Sequence, residues 1–156
     1  NKAGNSQIIH ESIEGTVVGT FDSGLAMGAA IISAESLGLG IVPIGGIRRD
    51  PEEVIKLLKL PKYTYPIAGL CIGYPADESR KKPRLPFETF VHRDEYSVES
   101  LQGHIEKYDE KFETYLTEIG REKEVNWSTN TSGIYKSVYF PKVHPTMKNQ
   151  GFTNDK

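Results

Sequence analysis

Residues Ala34 to Arg48 read Ala-Glu-Ser-Leu-Gly-Leu-Gly-Ile-Val-Pro-Ile-Gly-Gly-Ile-Arg, and this stretch carries the change from helix to strand that sets the fold class. Upstream of it, Ser23 to Leu37 is rich in Ala, Leu, Met and Ile. That segment is apolar on most sides, which predicts a buried helix rather than an amphipathic surface one. Helical character begins near Ile8. Gly24 and Gly28 each cost about 1 kcal/mol relative to alanine inside a helix. Their small size admits close approach of a second helix or of a ligand. Gly38 follows as a C-cap, because glycine takes the left-handed conformation without steric penalty. Gly40 to Ile44 then has the length of a short strand. Pro43 within it removes a ladder donor and implies an edge position or a bulge. Gly45-Gly46 ends the strand.

Working outward, Asp50-Pro51-Glu52-Glu53 is a helix start, with Asp at the N-cap, Pro at the first position and acids in the first turn. Val54, Ile55, Leu57 and Leu58 supply its buried face, and Lys59-Leu60-Pro61 closes it. Pro66 to Tyr74 is an almost continuous apolar run. It predicts a central strand covered on both faces, with Cys71 buried inside it. Phe87 to His92 reads as a further short strand. Ser97 to Ile119 is the most regular helix. Its apolar positions, Leu101, Ile105, Tyr108, Phe112, Tyr115, Leu116 and Ile119, recur at steps of three and four. Gly120 caps it. Asn1 to Gln7 is a loose lead-in, and Pro141 to Lys156 reads as an irregular tail. Helices and strands interleave, so the class is α+β: a small mixed sheet flanked by helices, with residues 1–156 forming one domain. So few strands imply further elements or a partner chain.

The 156 residues carry a net charge of −2, which gives no electrostatic case for nucleic acid or for an anionic membrane. One cysteine excludes an internal disulfide and a thiolate metal cluster. No run reaches the ~18 consecutive apolar residues of a membrane span, and no signal-peptide pattern opens the chain. The expectation is a cytoplasmic protein away from membranes. His10, His92, His104 and His144 lack metal-ligand spacing, and His104 falls among polar helix positions where it should be solvated. Neither a Gly-x-Ser-x-Gly elbow nor a His-Glu-x-x-His motif occurs. A site without an obvious catalytic side chain suits a protein whose cofactor does the chemistry.

Two segments bear on that cofactor. In Arg80-Lys81-Lys82-Pro83-Arg84, cations at 80, 81, 82 and 84 repel one another unless solvated or paired with an anion. Pro83 stiffens the chain between Lys82 and Arg84, and an extended pair at i and i+2 projects to one side. A lysine point charge beside an arginine fork suits a phosphate, although a solvated basic loop has the same composition. In Pro43-Ile44-Gly45-Gly46-Ile47-Arg48, two glycines after a strand let backbone N–H groups approach a flat ring or a phosphate. A plain turn into the next helix would look the same.

The combination of Ala34 to Gly40, Pro43 to Arg48 and Lys81-Lys82-Pro83-Arg84-Leu85-Pro86, in this order and at these separations, resembles the flavin reductase and oxygen-insensitive nitroreductase group of the nitroreductase superfamily. Tyr108-Asp109, Trp127-Ser128 and the Gly151-Phe152 tail extend the likeness. The resemblance implies an FMN-dependent NAD(P)H oxidoreductase that is an obligate homodimer with a nitroreductase-like fold and two flavins at the subunit interface. It implies that Pro43, Ile44, Gly45 and Gly46 line the isoalloxazine ring through backbone atoms and that Lys82 and Arg84 hold the flavin phosphate and the ring-side or ribityl oxygens. Arg48 and Lys123 would meet the nicotinamide nucleotide, NADPH or NADH. Some members carry an arginine where this chain has Glu118, with Arg121 and Lys123 nearby as substitutes. The implied reaction is ping-pong hydride transfer to a small-molecule electron acceptor: a nitroaromatic, a quinone or free flavin. The family's N-terminal His/Arg-rich phosphate segment has no counterpart here, so the chain reads as the C-terminal two-thirds of such a protein. The alternative is a flavin-binding or structural relative without turnover.

Overall fold

The computed structural model describes Gly4, residues 6–77 and residues 80–156. Most of the expected lead-in, and Ser79 before the basic run, lie outside the described residues. The chain divides into two compact units, Asn1–Asp77 with Phe140–Lys156, and Glu78–Tyr139.

In the first unit, a 3-10 turn at Ile9–Glu11 leads into helix α1, Ile13–Ser36. The Ser12 hydroxyl oxygen accepts the Gly15 N–H at 3.1 Å and caps the helix start. At the far end Gly38 sits at φ +73, and the Leu39 N–H returns to the Ala34 carbonyl at 3.0 Å. This is the left-handed ending that the sequence predicts. The burial expected of α1 is not found. Ala34 is its sole buried residue, while Phe21 is 65 %, Leu25 59 % and Ile32 70 % exposed. Composition shows that a helix is apolar but not whether its own chain covers it. By length and composition α1 is also apolar enough to cross a membrane. A search for an unbroken apolar run passes over it because Asp22 and the glycines interrupt the run.

Strand β1, Gly40–Ile44, pairs antiparallel with β2, Gly69–Gly73, with Val42 opposite Cys71 at the centre. The sheet has two strands among the described residues, so it is antiparallel and not mixed. Each strand has one unpaired edge, which accommodates Pro43. The expected central strand from Pro66 to Tyr74 shrinks to five residues, and Cys71 is exposed rather than buried. A central strand needs ladder neighbours at both edges, and among the described residues β2 has one, β1.

Helix α2, Pro51–Leu58, begins as predicted with Asp50 at the N-cap position and Pro51 buried at N1. The Asp50 carboxylate does not cap it. It pairs with the Lys142 ammonium, which holds its carboxyl below the usual carboxylate range. The terminal segment is not irregular, because Val143–Gln150 forms a helix, here called α5 once the second unit's α3 and α4 are counted. The buried Gln150 amide donates to the carbonyls of Pro61 and Thr64, at 3.0 and 2.8 Å. The Gln150 main-chain carbonyl accepts the Tyr63 N–H at 2.8 Å. The turn holding Tyr63 at φ +65 is thereby pinned to the helix end. Beyond it, the Asn154 amide oxygen accepts from the Thr16 hydroxyl at 2.7 Å, and the Asp155 N–H reaches the Glu11 carbonyl at 3.0 Å.

The second unit is built on α3, Leu101–Glu118, and α4, Trp127–Tyr135. Tyr108, Phe112 and Leu116 form its buried stripe, against which Leu85, Tyr115, Ile119 and Trp127 pack. Gly120 at φ +73 ends α3, with the Arg121 N–H on the Leu116 carbonyl at 2.8 Å. The expected strand from Phe87 to His92 is a 3-10 turn, Phe87–Thr89. There Phe87 and Phe90 meet edge to face at 5.9 Å, and no ladder partner is present among the described residues. His104 is partly buried, and its Nδ1 is buried without a hydrogen-bond partner, in contrast to the solvated side chain expected.

Gly151 gives a test of the pinned turn. It sits at φ +102, and a Cβ there would lie 2.6 Å from the Tyr63 ring. Gly151→Ala should lower stability by about 1–3 kcal/mol, read as a fall in the urea midpoint. Gly133→Ala, inside α4 with open space around the new methyl, should hold or raise it. Equal midpoints for the two variants would contradict the described junction.

Candidate functional site

The basic segment is seated on α3. Lys82 and Arg84 are exposed on either side of a partly buried Pro83. Tyr108, 5 % exposed, donates its hydroxyl to the Pro83 carbonyl at 3.1 Å. One helical turn further, the Phe112 ring lies 4.9 Å from the Lys82 Nζ, within range of a cation–π attraction. The Arg84 guanidinium turns back to the Lys82 carbonyl at 3.1 Å. Among the described residues no carboxylate lies within ion-pair distance of Lys81, Lys82 or Arg84. Arg80 differs, since it donates to the Glu118 carbonyl at 3.2 Å and approaches the Glu118 carboxylate at 3.7 Å. Arg80 is thus paired with Glu118, while Arg84 rests on the carbonyls of Lys82 and Pro83 and Lys82 on the Phe112 ring, both without a carboxylate partner among the described residues.

Beside Lys82 opens a cleft of about 420 Å³ lined by Phe112, Tyr115, Arg121, Glu124 and Asn130. Arg121 is already engaged, with Nε and Nη2 at 2.5 and 2.7 Å from the Glu124 carboxylate oxygens. Lys123 is exposed in the turn before α4. The Asp109 carboxylate accepts the Ser128 N–H at 3.0 Å and also the Ser128 hydroxyl. That bond fixes the first turn of α4, where Trp127 meets Tyr108 edge to face at 5.5 Å.

In the first unit Pro43, Gly45 and Gly46 are exposed and Ile44 is partly buried. Gly45 caps a 3-10 turn, Gly46–Arg49. A Cβ on Gly45 would meet the Arg48 guanidinium at 3.4 Å, whereas one on Gly46 meets nothing within 4 Å. A side chain at Gly45 would thus make only ordinary contact with Arg48, and Gly46 leaves its backbone open to approach. Arg48 Nη1 donates to the Ile67 carbonyl at 2.6 Å, and its Cζ lies 5.8 Å from the Phe140 ring. Burial pushes the Tyr65 phenol above its usual range, and the Arg48 charge partly opposes this. The buried Tyr65 hydroxyl has no hydrogen-bond partner.

Sequence reasoning found the cations and the double glycine. It missed Tyr108 as the partner of Pro83 and Asp109 as an acceptor for the first turn of α4, whose N-cap is Asn126, because Tyr108 reads as one more apolar step of α3. The signal available was a hydroxyl-bearing side chain in the middle of a buried stripe, where a phenol needs a partner. The described residues hold no cluster of three or more His, Cys, Asp or Glu suited to a metal ion.

The model of the nitroreductase family matches residues 5–74, and that of the nitroreductase family's C-terminal domain matches residues 82–155. The chain belongs to the nitroreductase family. Among its nitroreductase relatives, the NAD(P)H FMN reductase of Bacillus subtilis (strain 168) is 45% identical over 150 residues, covering 95% of this chain and 60% of that protein. The oxygen-insensitive NADPH nitroreductase of Salmonella typhimurium is 45% identical over 118 residues, 74% of this chain and 48% of that protein. Of the solved structures, NfrA2 of B. megaterium superposes with a TM-score of 0.92 at 42% identity, over 99% of this chain and 63% of that one. The nitroreductase fold therefore accounts for the described architecture, and the chain spans about 60% of the length of the first of these relatives.

Burial is also the main cause that raises the Tyr108 phenol above its usual range, with the Arg84 charge opposing it. A phenol raised in the folded state contributes stability that is present below its unfolded value and lost as pH climbs through the folded one. Alkaline titration followed by phenolate absorbance should show late ionisation for Tyr65 and Tyr108, and Tyr108→Phe should remove one late step. A late fraction of unchanged size in that variant would refute the assignment to Tyr108.

Proposed function

We propose that this chain acts as an FMN-dependent NAD(P)H oxidoreductase in which Lys82 and Arg84 hold the flavin phosphate. The observation that carries this reading is the presentation of two cations, without carboxylate partners among the described residues, on the buried Tyr108 and Phe112 side chains. A phosphate monoester suits that pair: the ammonium supplies a point charge, and the guanidinium a planar fork. The names of the relatives, FMN reductase and NADPH nitroreductase, support the same cofactor and electron source. Pro43, Ile44, Gly45 and Gly46 line the isoalloxazine ring through backbone atoms, the open approach at Gly46 favouring a flat ligand. Arg48 and Lys123 meet the nicotinamide nucleotide. When bound there, FMN would supply two-electron redox chemistry between NADPH or NADH and a nitroaromatic, a quinone or free flavin, in ping-pong order. The protein groups bind and orient, and none is assigned a proton.

In the same reading the protein is a cytoplasmic homodimer, its described residues belonging to one domain, without nucleic-acid or membrane partners. The exposed Phe21, Leu25 and Ile32 of α1 favour a second copy as the cover for that helix, since contiguous apolar surface of this kind marks an interaction site.

Two measurements test the reading. Titration with FMN, followed by quenching of flavin fluorescence, should give saturable binding. Lys82→Ala with Arg84→Ala should raise Kd by roughly tenfold or more, the loss of about two charge-assisted contacts at an exposed site. Unchanged affinity would remove the anchor assignment. Sedimentation should give a dimer, and Leu25→Asp should shift it to monomer; a parent chain that sediments as a monomer would sink the dimer reading.

A further inference from the structure

We infer that Tyr108 and Phe112 are the positioning residues of the Lys82-Pro83-Arg84 anchor, Tyr108 fixing the backbone that carries Arg84 and Phe112 fixing the ammonium of Lys82. This rests on the reading that Lys82 and Arg84 take a phosphate. It adds that the cations can do so because α3 orients them.

Lysine and arginine side chains each carry about 2 kcal/mol of rotamer entropy, and a loop that leaves both free presents no defined phosphate site. Proline has no N–H, so the backbone of Pro83 has one polar handle, its carbonyl. That carbonyl belongs to the peptide plane joining Pro83 to Arg84. The Tyr108 hydroxyl bonds to it at 3.1 Å, which sets the plane and with it the starting direction of Arg84. Phe112 follows Tyr108 by four residues, so both side chains leave the same face of α3. Its ring receives the Lys82 Nζ at 4.9 Å. An ammonium has three donors, and contact with one aromatic face leaves donors for an anion.

The two aromatic residues are themselves fixed. Tyr108 and Phe112 are 5 % and 8 % exposed. Trp127 stands edge to face against Tyr108, at the start of a helix that Asp109 ties down through Ser128. A continuous line of contacts therefore runs from α4 through Tyr108 to the peptide bond before Arg84. A buried phenol needs a partner in any case, so a positioning role is told from a merely structural one by whether loss of the hydroxyl acts on phosphate binding.

The test separates ring from hydroxyl and phosphate from flavin ring. Tyr108→Phe keeps the packing and removes the bond to Pro83. In the full chain its Kd for FMN should rise about fivefold, equivalent to about 1 kcal/mol. The Kd for riboflavin, which lacks the phosphate, should stay unchanged. Phe112→Leu should likewise weaken FMN and spare riboflavin, which keeps the inference testable if Tyr108→Phe fails to fold. Without any flavin, NMR relaxation should show lower backbone order at Arg84 in Tyr108→Phe. FMN affinity unchanged in both variants, or equal losses for FMN and riboflavin, would overturn the inference. The Lys82→Ala, Arg84→Ala protein is measured alongside. If it loses FMN affinity and Tyr108→Phe does not, the positioning role fails alone; if it also keeps full affinity, the phosphate reading fails and this inference falls with it.

Discussion

The second unit depends on one buried stripe, Tyr108, Phe112 and Leu116 along α3. Full burial of a large apolar side chain contributes about 1.5–3 kcal/mol, and this unit has few such side chains. The stripe must therefore do two tasks. It gathers Leu85, Trp127 and Ile119 into a core, and its first two members also reach the basic segment. Polar chemistry is attached directly to the packing: the Tyr108 hydroxyl leaves the core at the Pro83 carbonyl, and the face of Phe112 receives a charge.

The first unit solves a different problem. Its apolar helix buries one residue, and its long-range order comes from hydrogen bonds between segments far apart in sequence. Gln150 bonds three groups of the turn at 61–64, and Asn154 and Asp155 return to the neighbourhood of α1. Such bonds each contribute modestly when made and cost more when one buried partner is removed. They fix geometry better than they supply stability.

Features legible in the sequence were those that local chemistry decides. Gly38 and Gly120 end their helices at positive φ, Pro51 opens α2, and the three-and-four spacing of α3 places its core face. The readings that failed were those that depend on neighbours. Pro66 to Tyr74 is apolar enough for a central strand, but centrality is a property of the sheet and not of the strand. Phe87 and Phe90 have strand-forming side chains, yet their mutual contact is local and fits a 3-10 turn. Helix α5 lacked an apolar stripe because its buried positions are Thr146 and Gln150, polar residues that a search for apolar periodicity passes over. At the candidate site the cations were visible as a charge run. Their aromatic support was hidden because the same residues satisfy the helix pattern.

The exposure of Cys71 has a practical side. It is the single cysteine of the sequence and lies on β2 opposite Val42, next to Pro43 in the ladder. A thiol-reactive dye would therefore attach at one point, beside the β1 residue Val42. The molecule carries a built-in attachment point for a spectroscopic reporter, and no second thiol need be removed before it is used.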